Sequence, residues 1–256
     1  MKRINLLVVC ITVLGTIMSA QTQLTMKNLL GDGIFVQGGL GYIALRDEYI
    51  SKEKYSGSLS YFEAGWLKSH DSSAVRFGAE FRISSDLTNN NVTAKVTQAG
   101  LSLDYIYPIG SFQLFSHDIF AFLGPSMEVY SYNRTENIAN GGSAIYNSSA
   151  EFYSLCVNST FILPIGSDFS AECSGMLNLI GWGKRSVDSQ NKNEKALKTI
   201  SIFSGIRGYT NILLRYNVSD AFLLKAGYRF NICQSTSWDY LLSASDNLIF
   251  VITYRI

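Results

Sequence analysis

The chain has 256 residues, of which 47% are hydrophobic, 13% aromatic and only 16% charged, with a formal net charge of +1. A soluble domain carries about a quarter charged residues, and a near-neutral balance without a basic face excludes a nucleic-acid interface. Beyond the first twenty residues no stretch reaches the roughly 20 apolar residues of a membrane helix. Low charge without a helical span leaves a barrel-type membrane protein as the class to test, and the length suits one large β domain.

Residues 1 to 20 read as a signal peptide. Lys2 and Arg3 form a basic start, Leu6 to Ile17 an apolar stretch, and Ser19 and Ala20 supply small residues for cleavage before Gln21. A membrane anchor fits less well, because the apolar run is short. A lipoprotein needs a cysteine just after that run, whereas Cys10 lies inside it. Cleavage leaves Cys156, Cys173 and Cys233, an odd number at scattered spacing that reads as single buried or lipid-facing thiols, with one disulfide as the alternative, and not as a disulfide framework or a CxxC metal site. Residues 21 to 33 are a short periplasmic lead-in, too small for a plug, and residues 34 to 256 form the barrel domain.

Strand side chains point alternately to opposite faces, so period-two patterns can be followed along the chain. The first strand (about 34–45) sets Gln37, Gly39 and Gly41 against Val36, Leu40 and Tyr42. A charged loop is expected over 45–56. The second strand (57–68) sets Tyr61, Glu63 and Gly65 against Phe62, Ala64 and Trp66. After a polar turn at 69–73, the third sets Arg76, Gly78, Glu80, Arg82 and Ser84 against Val75, Phe77, Ala79, Phe81 and Ile83. Residues 86–93 read as a loop. The fourth sets Gln98, Gly100, Ser102 and Asp104 against Ala99, Leu101, Leu103, Tyr105 and Tyr107.

The sequence Tyr-Pro-Ile-Gly-Ser at 107–111 predicts a tight turn, repeated in kind at 163–167 as Leu-Pro-Ile-Gly-Ser. A fifth strand is expected over 112–132, with Gly124-Pro125 marking a bulge or kink. A long loop (133–149) and a sixth strand (150–163) follow. The seventh strand (169–183) has Glu172, Ser174 and Asn178 on its polar face. A second long loop covers 184–198. The eighth strand (199–216) sets Arg207, Tyr209, Asn211 and Arg215 against Ile206, Thr210, Ile212 and Leu214. The ninth (222–233) alternates without a slip, with Phe222, Leu224, Ala226, Tyr228, Phe230 and Ile232 opposite Leu223, Lys225, Gly227, Arg229, Asn231 and Cys233. After a loop over 234–245, the last strand sets Asn247, Thr253 and Arg255 against Leu248, Phe250, Ile252, Tyr254 and Ile256.

About ten strands result, with eight or twelve as alternatives, joined by alternating short and long connections. The fold class is all-β: a closed, antiparallel, up-and-down transmembrane barrel, apolar outside and polar inside. The alternation places both termini on the periplasmic side. The run Asn217 to Phe230, the Gly124-Pro125 pair after an aromatic strand, and the closing Phe250 to Ile256 resemble the small bacterial outer-membrane barrels of the OmpA/OmpX-like group. That resemblance covers nearly all of the mature chain. It implies an outer-membrane location and leaves activity open, because one barrel hosts many functions. Such barrels often end in phenylalanine, whereas this chain ends in Ile256, with Tyr254 two places earlier.

The polar faces collect charges of both signs. The acids are Glu63, Glu80, Asp104 and Glu172, with Glu128 a further candidate. The bases are Arg76, Arg82, Arg207, Arg215, Lys225, Arg229 and Arg255. An interior of about eight strands is just wide enough for side chains to fill, whereas open pores belong to about 16. A lumen filled by its own ion pairs is therefore expected, with a narrow, slightly basic small-solute channel as the alternative. A secreted, lipocalin-like barrel would carry charges on its outer face and fits less well.

No enzyme is expected. His70 falls in a periplasmic turn and His117 near the periplasmic end of the fifth strand, away from the outer rim where the resemblance would place catalytic histidines. No cofactor or metal is expected. Five Asn-x-Ser/Thr sequons (at Asn91, Asn133, Asn147, Asn158 and Asn217) read as chance matches. The partner expected is membrane lipid; Lys184, Arg185, Lys192, Lys195 and Lys198 read first as a plain solvated loop, with contact to anionic lipopolysaccharide as the alternative, and the partner of the outer loops is left open. A monomer is expected.

Overall fold

The computed structural model describes residues 29–48, 51–89, 92–114, 117–138, 145–188, 196–201, 205–236 and 241–256. The signal-peptide reading, most of the lead-in, and Lys192 and Lys195 lie outside these residues. Twelve strands follow in order: β1 (Gly33–Asp47), β2 (Ser51–Ser69), β3 (Ala74–Ser84), β4 (Leu87–Asn89), β5 (Val92–Leu114), β6 (His117–Ile138), β7 (Ile145–Pro164), β8 (Phe169–Asp188), β9 (Ala196–Ser201), β10 (Gly205–Asn217), β11 (Phe222–Ser235) and β12 (Leu241–Arg255).

Each strand pairs antiparallel with its neighbours. The β1–β12 ladder, from Gly33 opposite Arg255 to Asp47 opposite Leu241, closes the sheet on itself. The short β4 continues β3 between β2 and β5, and β9 continues β10 along β8, so the barrel has ten staves. Closure removes the exposed edge that an open sheet would present. At one end the connections are tight: His70 N–H donates to the Ser73 carbonyl at 2.7 Å, Ile165 N–H to Phe169 at 2.9 Å and Val218 N–H to Phe222 at 3.0 Å. Both ends of the sheet, Gly33 and Arg255, lie at this turn end, which faces the periplasm in outer-membrane barrels.

Several sequence expectations are corrected here. The stretch 107–111 is not a hairpin turn. β5 runs straight through it to Leu114, and the chain reverses only before His117. Pro108 and Gly110 instead form a bulge, with Pro108 opposite Phe122, Gly110 opposite Ala121 and Ile109 the extra residue. Proline cannot donate to the ladder, and Gly110 takes a φ of 136° that other residues avoid, so a bulge uses the same two residues as a turn. The fifth predicted strand, 112–132, accordingly spans the end of β5 and most of β6. The matching stretch at 163–167 does turn.

Gly124-Pro125 is not the bulged site. A Cβ at Gly124 would stand 1.7 Å from the Tyr105 carbonyl oxygen, so glycine permits a close approach between strands. The Asn158 amide nitrogen donates to the Tyr105 carbonyl at 3.3 Å and to Pro125 at 3.1 Å, giving partners to groups beside the residue that lacks an N–H.

The expected loops 45–56, 133–149, 184–198 and 234–245 are mostly strand, and 86–93 contains β4. β5 has 23 residues and β6 has 22, about twice the 9–11 that cross a bilayer. The hairpins therefore rise well past the membrane. The lead-in also does more than expected. Leu29 and Leu30 are buried against Ala74, Ile106, Phe120, Phe122 and Ile162, and cap the turn end of the lumen.

Candidate functional site: the lumen

The outer surface carries a broad apolar belt, including Phe62, Phe81, Leu101, Leu103, Met127, Ile212, Leu214, Phe250 and Ile252, all exposed. Toward the turn end it is bordered by rings such as Tyr105 and Tyr107, with centroids 4.8 Å apart, and Phe169 and Tyr216, at 4.6 Å. A closed barrel satisfies every ladder hydrogen bond internally, so it can present such a belt to lipid. The chain is a transmembrane β-barrel of the outer-membrane type. The belt and the closure place it in the outer membrane.

Inside the belt, strand alternation turns every second residue inward. Glu63 on β2, Arg76, Glu80 and Arg82 on β3, Asp104 on β5, Glu128 on β6, Arg207 on β10 and Arg229 on β11 meet at one level. Arg76 pairs with Glu63 and, at 2.9 Å, with Asp104. Arg82 lies 2.8 Å from Glu80. Arg229 reaches Glu63 at 3.0 Å and Glu80 at 3.2 Å. The Arg207 Nε donates to Glu128 at 2.6 Å, and its Nη2 lies 3.5 Å from Glu80. Four arginines thus meet four carboxylates, and the level is neutral.

Aromatic faces complete the packing, with the Arg207 guanidinium 3.2 Å from the Tyr130 ring centroid and that of Arg229 3.9 Å from Tyr209. Rings on these faces attract the cations while excluding water. Arg82 and Arg229 both reach the Asn231 oxygen at 2.9 Å.

A second ionic group lies toward the hairpin end. Arg134 sits beside Glu136 and 3.6 Å from Asp47, Arg185 pairs with Asp47, and the Tyr55 hydroxyl donates to Glu136 at 2.8 Å. Sequence reasoning missed this group because it placed these residues in loops. Arg185 points inward to Asp47 and is not available to lipopolysaccharide, whereas Lys184 next to it is exposed. The signal was present in the sequence. The alternation of Glu128, Tyr130 and Tyr132 continues without a break to Arg134 and Glu136, and that of Ile43 and Leu45 continues to Asp47.

Around this group and below it lies an apolar core of Ile43, Leu45, Tyr55, Leu59, Leu87, Val96, Tyr130, Tyr132, Phe152 and Leu241. Across the same strands the outward residues are polar: Lys54, Ser58, Lys95, Asn133, Thr135, Asn147, Glu151 and Lys184.

At the turn end, Glu172 takes Lys225 at 2.8 Å and Arg215 at 3.5 Å, and Arg215 donates to the Leu29 carbonyl at 2.6 Å. Arg255 stands apart at the rim, against Gly31 and 2.6 Å from the Asn217 side-chain oxygen. Asp32 fastens the lead-in by accepting from Ser69 N–H at 2.6 Å and pairing with Lys68 at 3.3 Å. Burial pushes the Asp32 carboxyl up, but these bonds outweigh it and hold it below the ordinary carboxylate range. His70 is exposed in the β2–β3 turn and His117 opens β6, both at the turn end. No cluster of histidine, cysteine and carboxylate side chains suited to a metal occurs among the described residues, and Cys156, Cys173 and Cys233 are free thiols.

No family model matches the sequence, and no curated protein matches it. Solved structures with a similar course of chain are outer-membrane barrels. The outer membrane protease OmpT from Escherichia coli is 8% identical over 88% of this chain and 96% of its own, with a TM-score of 0.48. The translocator domain of the autotransporter NalP from Neisseria meningitidis is 10% identical over 98% and 95%, with a TM-score of 0.49. Ail, the attachment invasion locus protein of Yersinia pestis, is 16% identical over 88% and 99%, with a TM-score of 0.30. The barrel itself is established by the strand pairing of this chain.

Proposed function

We propose that this protein is a non-enzymatic outer-membrane barrel with a closed lumen, acting as a structural or surface-interaction protein through the outer ends of its hairpins. The observation that carries this reading is that the lumen is obstructed at three successive levels. Leu29 and Leu30 lie at the turn end, the neutral Arg/Glu/Asp mesh lies within the belt, and the apolar core with its ionic group lies above it. A solute path would have to break buried ion pairs and then cross an apolar core, each at considerable cost. Support for a non-catalytic role comes from the histidines, both at the end opposite the hairpins. The hairpin ends offer a polar outer wall with Lys54, Lys95 and Lys184 just beyond the belt, suited to the phosphorylated saccharides of the outer leaflet. A single chain closes the barrel, so a monomer suffices.

The test is conductance of the purified wild-type protein in planar bilayers. Little or no steady current is expected, and Arg82→Ala or Arg229→Ala should open a leak or lower stability. A large, stable wild-type conductance that neither substitution alters would overturn the closed-lumen reading and favour the narrow channel.

A further inference from the structure

The hairpin extensions are unequal around the barrel. β5 to β8 have 20 to 23 residues and form a tall wall, whereas β1, β11 and β12 across the barrel have 14 or 15. Near their hairpin end the short strands turn Ala44, Ile232, Leu242 and Ala244 outward. The tall wall is different. Thr97, Asn133, Ser149 and Ser186 stand side by side in one outward row on its four strands, and Thr135 and Asn147 face each other in the next. The Asn-x-Ser/Thr sequences at 133 and 147 acquire a geometric meaning here. Period two puts each asparagine and its hydroxyl on one face, and antiparallel pairing sets Asn133 opposite Ser149 and Asn147 opposite Thr135.

Asn133, Thr135, Asn147, Ser149 and Ser186 line a hollow of about 360 Å³, completed by the buried Arg134 and Ser148 of the same strands. Among the described residues none of these five side chains has a hydrogen-bond partner. None of the five is charged, and the nearest charges are matched: Lys184 stands opposite Glu151, and Lys95 lies 3.4 Å from Asp86. The same outward face runs down into the lipid belt. On β7 and β8 it reaches Tyr153 and Trp182, which are paired and exposed, and on β6 it reaches Val129 and Met127. Aromatic rings so placed mark the membrane interface. Ser149 lies four residues beyond Tyr153, which along a tilted strand is about 10 Å above the rings. That is the level at which the headgroups of the outer leaflet begin.

A surface of carboxamides and hydroxyls offers both donors and acceptors, as a sugar hydroxyl requires. It lacks the apolar or aromatic anchors of a protein interface. Its strands are also paired on both sides, so no foreign strand can be added to them. We infer that the tall wall binds the uncharged headgroup sugars of a glycolipid in the outer leaflet. The acyl chains lie on the belt at Met127, Val129 and Leu155, and the sugars bond to Asn133, Thr135, Asn147 and Ser149. Continuity of this face with the belt selects a membrane glycolipid over a free saccharide. The inference rests on the surface-interaction reading above and adds to its lysines a site that reads sugar hydroxyls.

The test is native mass spectrometry of the full barrel with an equal mixture of two probes: lipopolysaccharide carrying its core sugars, and the same acylated, phosphorylated anchor stripped of them. The wild type is expected to retain the sugar-bearing probe over the stripped one by about tenfold, the effect of one or two net hydrogen bonds. Asn133→Leu combined with Asn147→Leu should bring that ratio close to one without lowering retention of the stripped anchor. Equal retention of both probes by the wild type, or a preference unchanged in the double variant, would overturn the inference and leave the surface reading standing. Retention of neither probe would overturn both. Displacement of the bound glycolipid by free core oligosaccharide at matching concentration would overturn the membrane source. Should the double variant fail to fold, Ser186→Val on the neighbouring strand gives the same readout.

Discussion

The belt region and the hairpin extensions are built from the same ten staves with opposite polarity. Within the belt, Leu103, Met127, Ile212 and Phe250 face outward, and Glu63, Glu80, Arg207 and Arg229 face inward. Beyond it, Lys54, Asn133, Thr135 and Lys184 face outward, and Ile43, Leu59, Tyr130 and Phe152 face inward. Apart from bulges at Ile109 in β5 and at Leu179 in β8 the alternation holds; what changes is the solvent. Lipid outside the belt accepts apolar side chains and leaves the polar ones to the lumen, where they must pair. Water outside the extensions drives apolar side chains inward, as in any soluble β domain. One strand thus obeys two sets of rules along its length, and stability has a different source in each half.

Three substitutions test that division, from the largest expected effect to the smallest. Arg229→Ala strips Glu63 and Glu80 of a shared partner in the mesh. A loss of about 3–5 kcal/mol is expected, as for one partner removed from a buried ion pair. Chemical unfolding in detergent measures it, and a loss below 1 kcal/mol would mean that water reaches the mesh freely. Leu59→Ala opens a cavity in the upper core and should cost about 2–5 kcal/mol, whereas Leu103→Ala on the lipid face should cost much less. Equal losses would place lipid, not water, around the extensions.

The third pair exchanges the outer faces. Leu103→Arg near the middle of the belt should destabilise by about 2–4 kcal/mol in a bilayer. Asn133→Arg in the extension should stay within about 0.5 kcal/mol of wild type, as an ordinary surface substitution does. If both are tolerated alike, the boundary between the two regions is misplaced.

The belt strands were legible from the sequence because lipid makes their outer faces conspicuously aromatic and aliphatic. Phe222 to Ile232 and Val75 to Ile83 show it best. The extensions were hidden for the same reason: once water lies outside, stretches such as Asn133 to Glu136 and Asn147 to Ala150 look like polar loops although they alternate as strictly. Arg134, Glu136 and Arg185 were lost with them. The repeated Pro-Ile-Gly misled differently, since proline and glycine meet the needs of a bulge as well as those of a turn, and only the pairing of Gly110 with Ala121 separates the two.

By itself, then, the sequence determined the period, the face each belt side chain takes, and the barrel class, because these depend on local alternation and on the overall balance of charge. Tertiary structure alone decided which carboxylate meets which arginine, that Leu29 and Leu30 close the turn end, and that Glu172 is outnumbered by Lys225 and Arg215. Those outcomes depend on register and closure around the whole barrel, which bring residues as distant as Glu63 and Arg229 within 3.0 Å. No spacing along the chain records such a meeting.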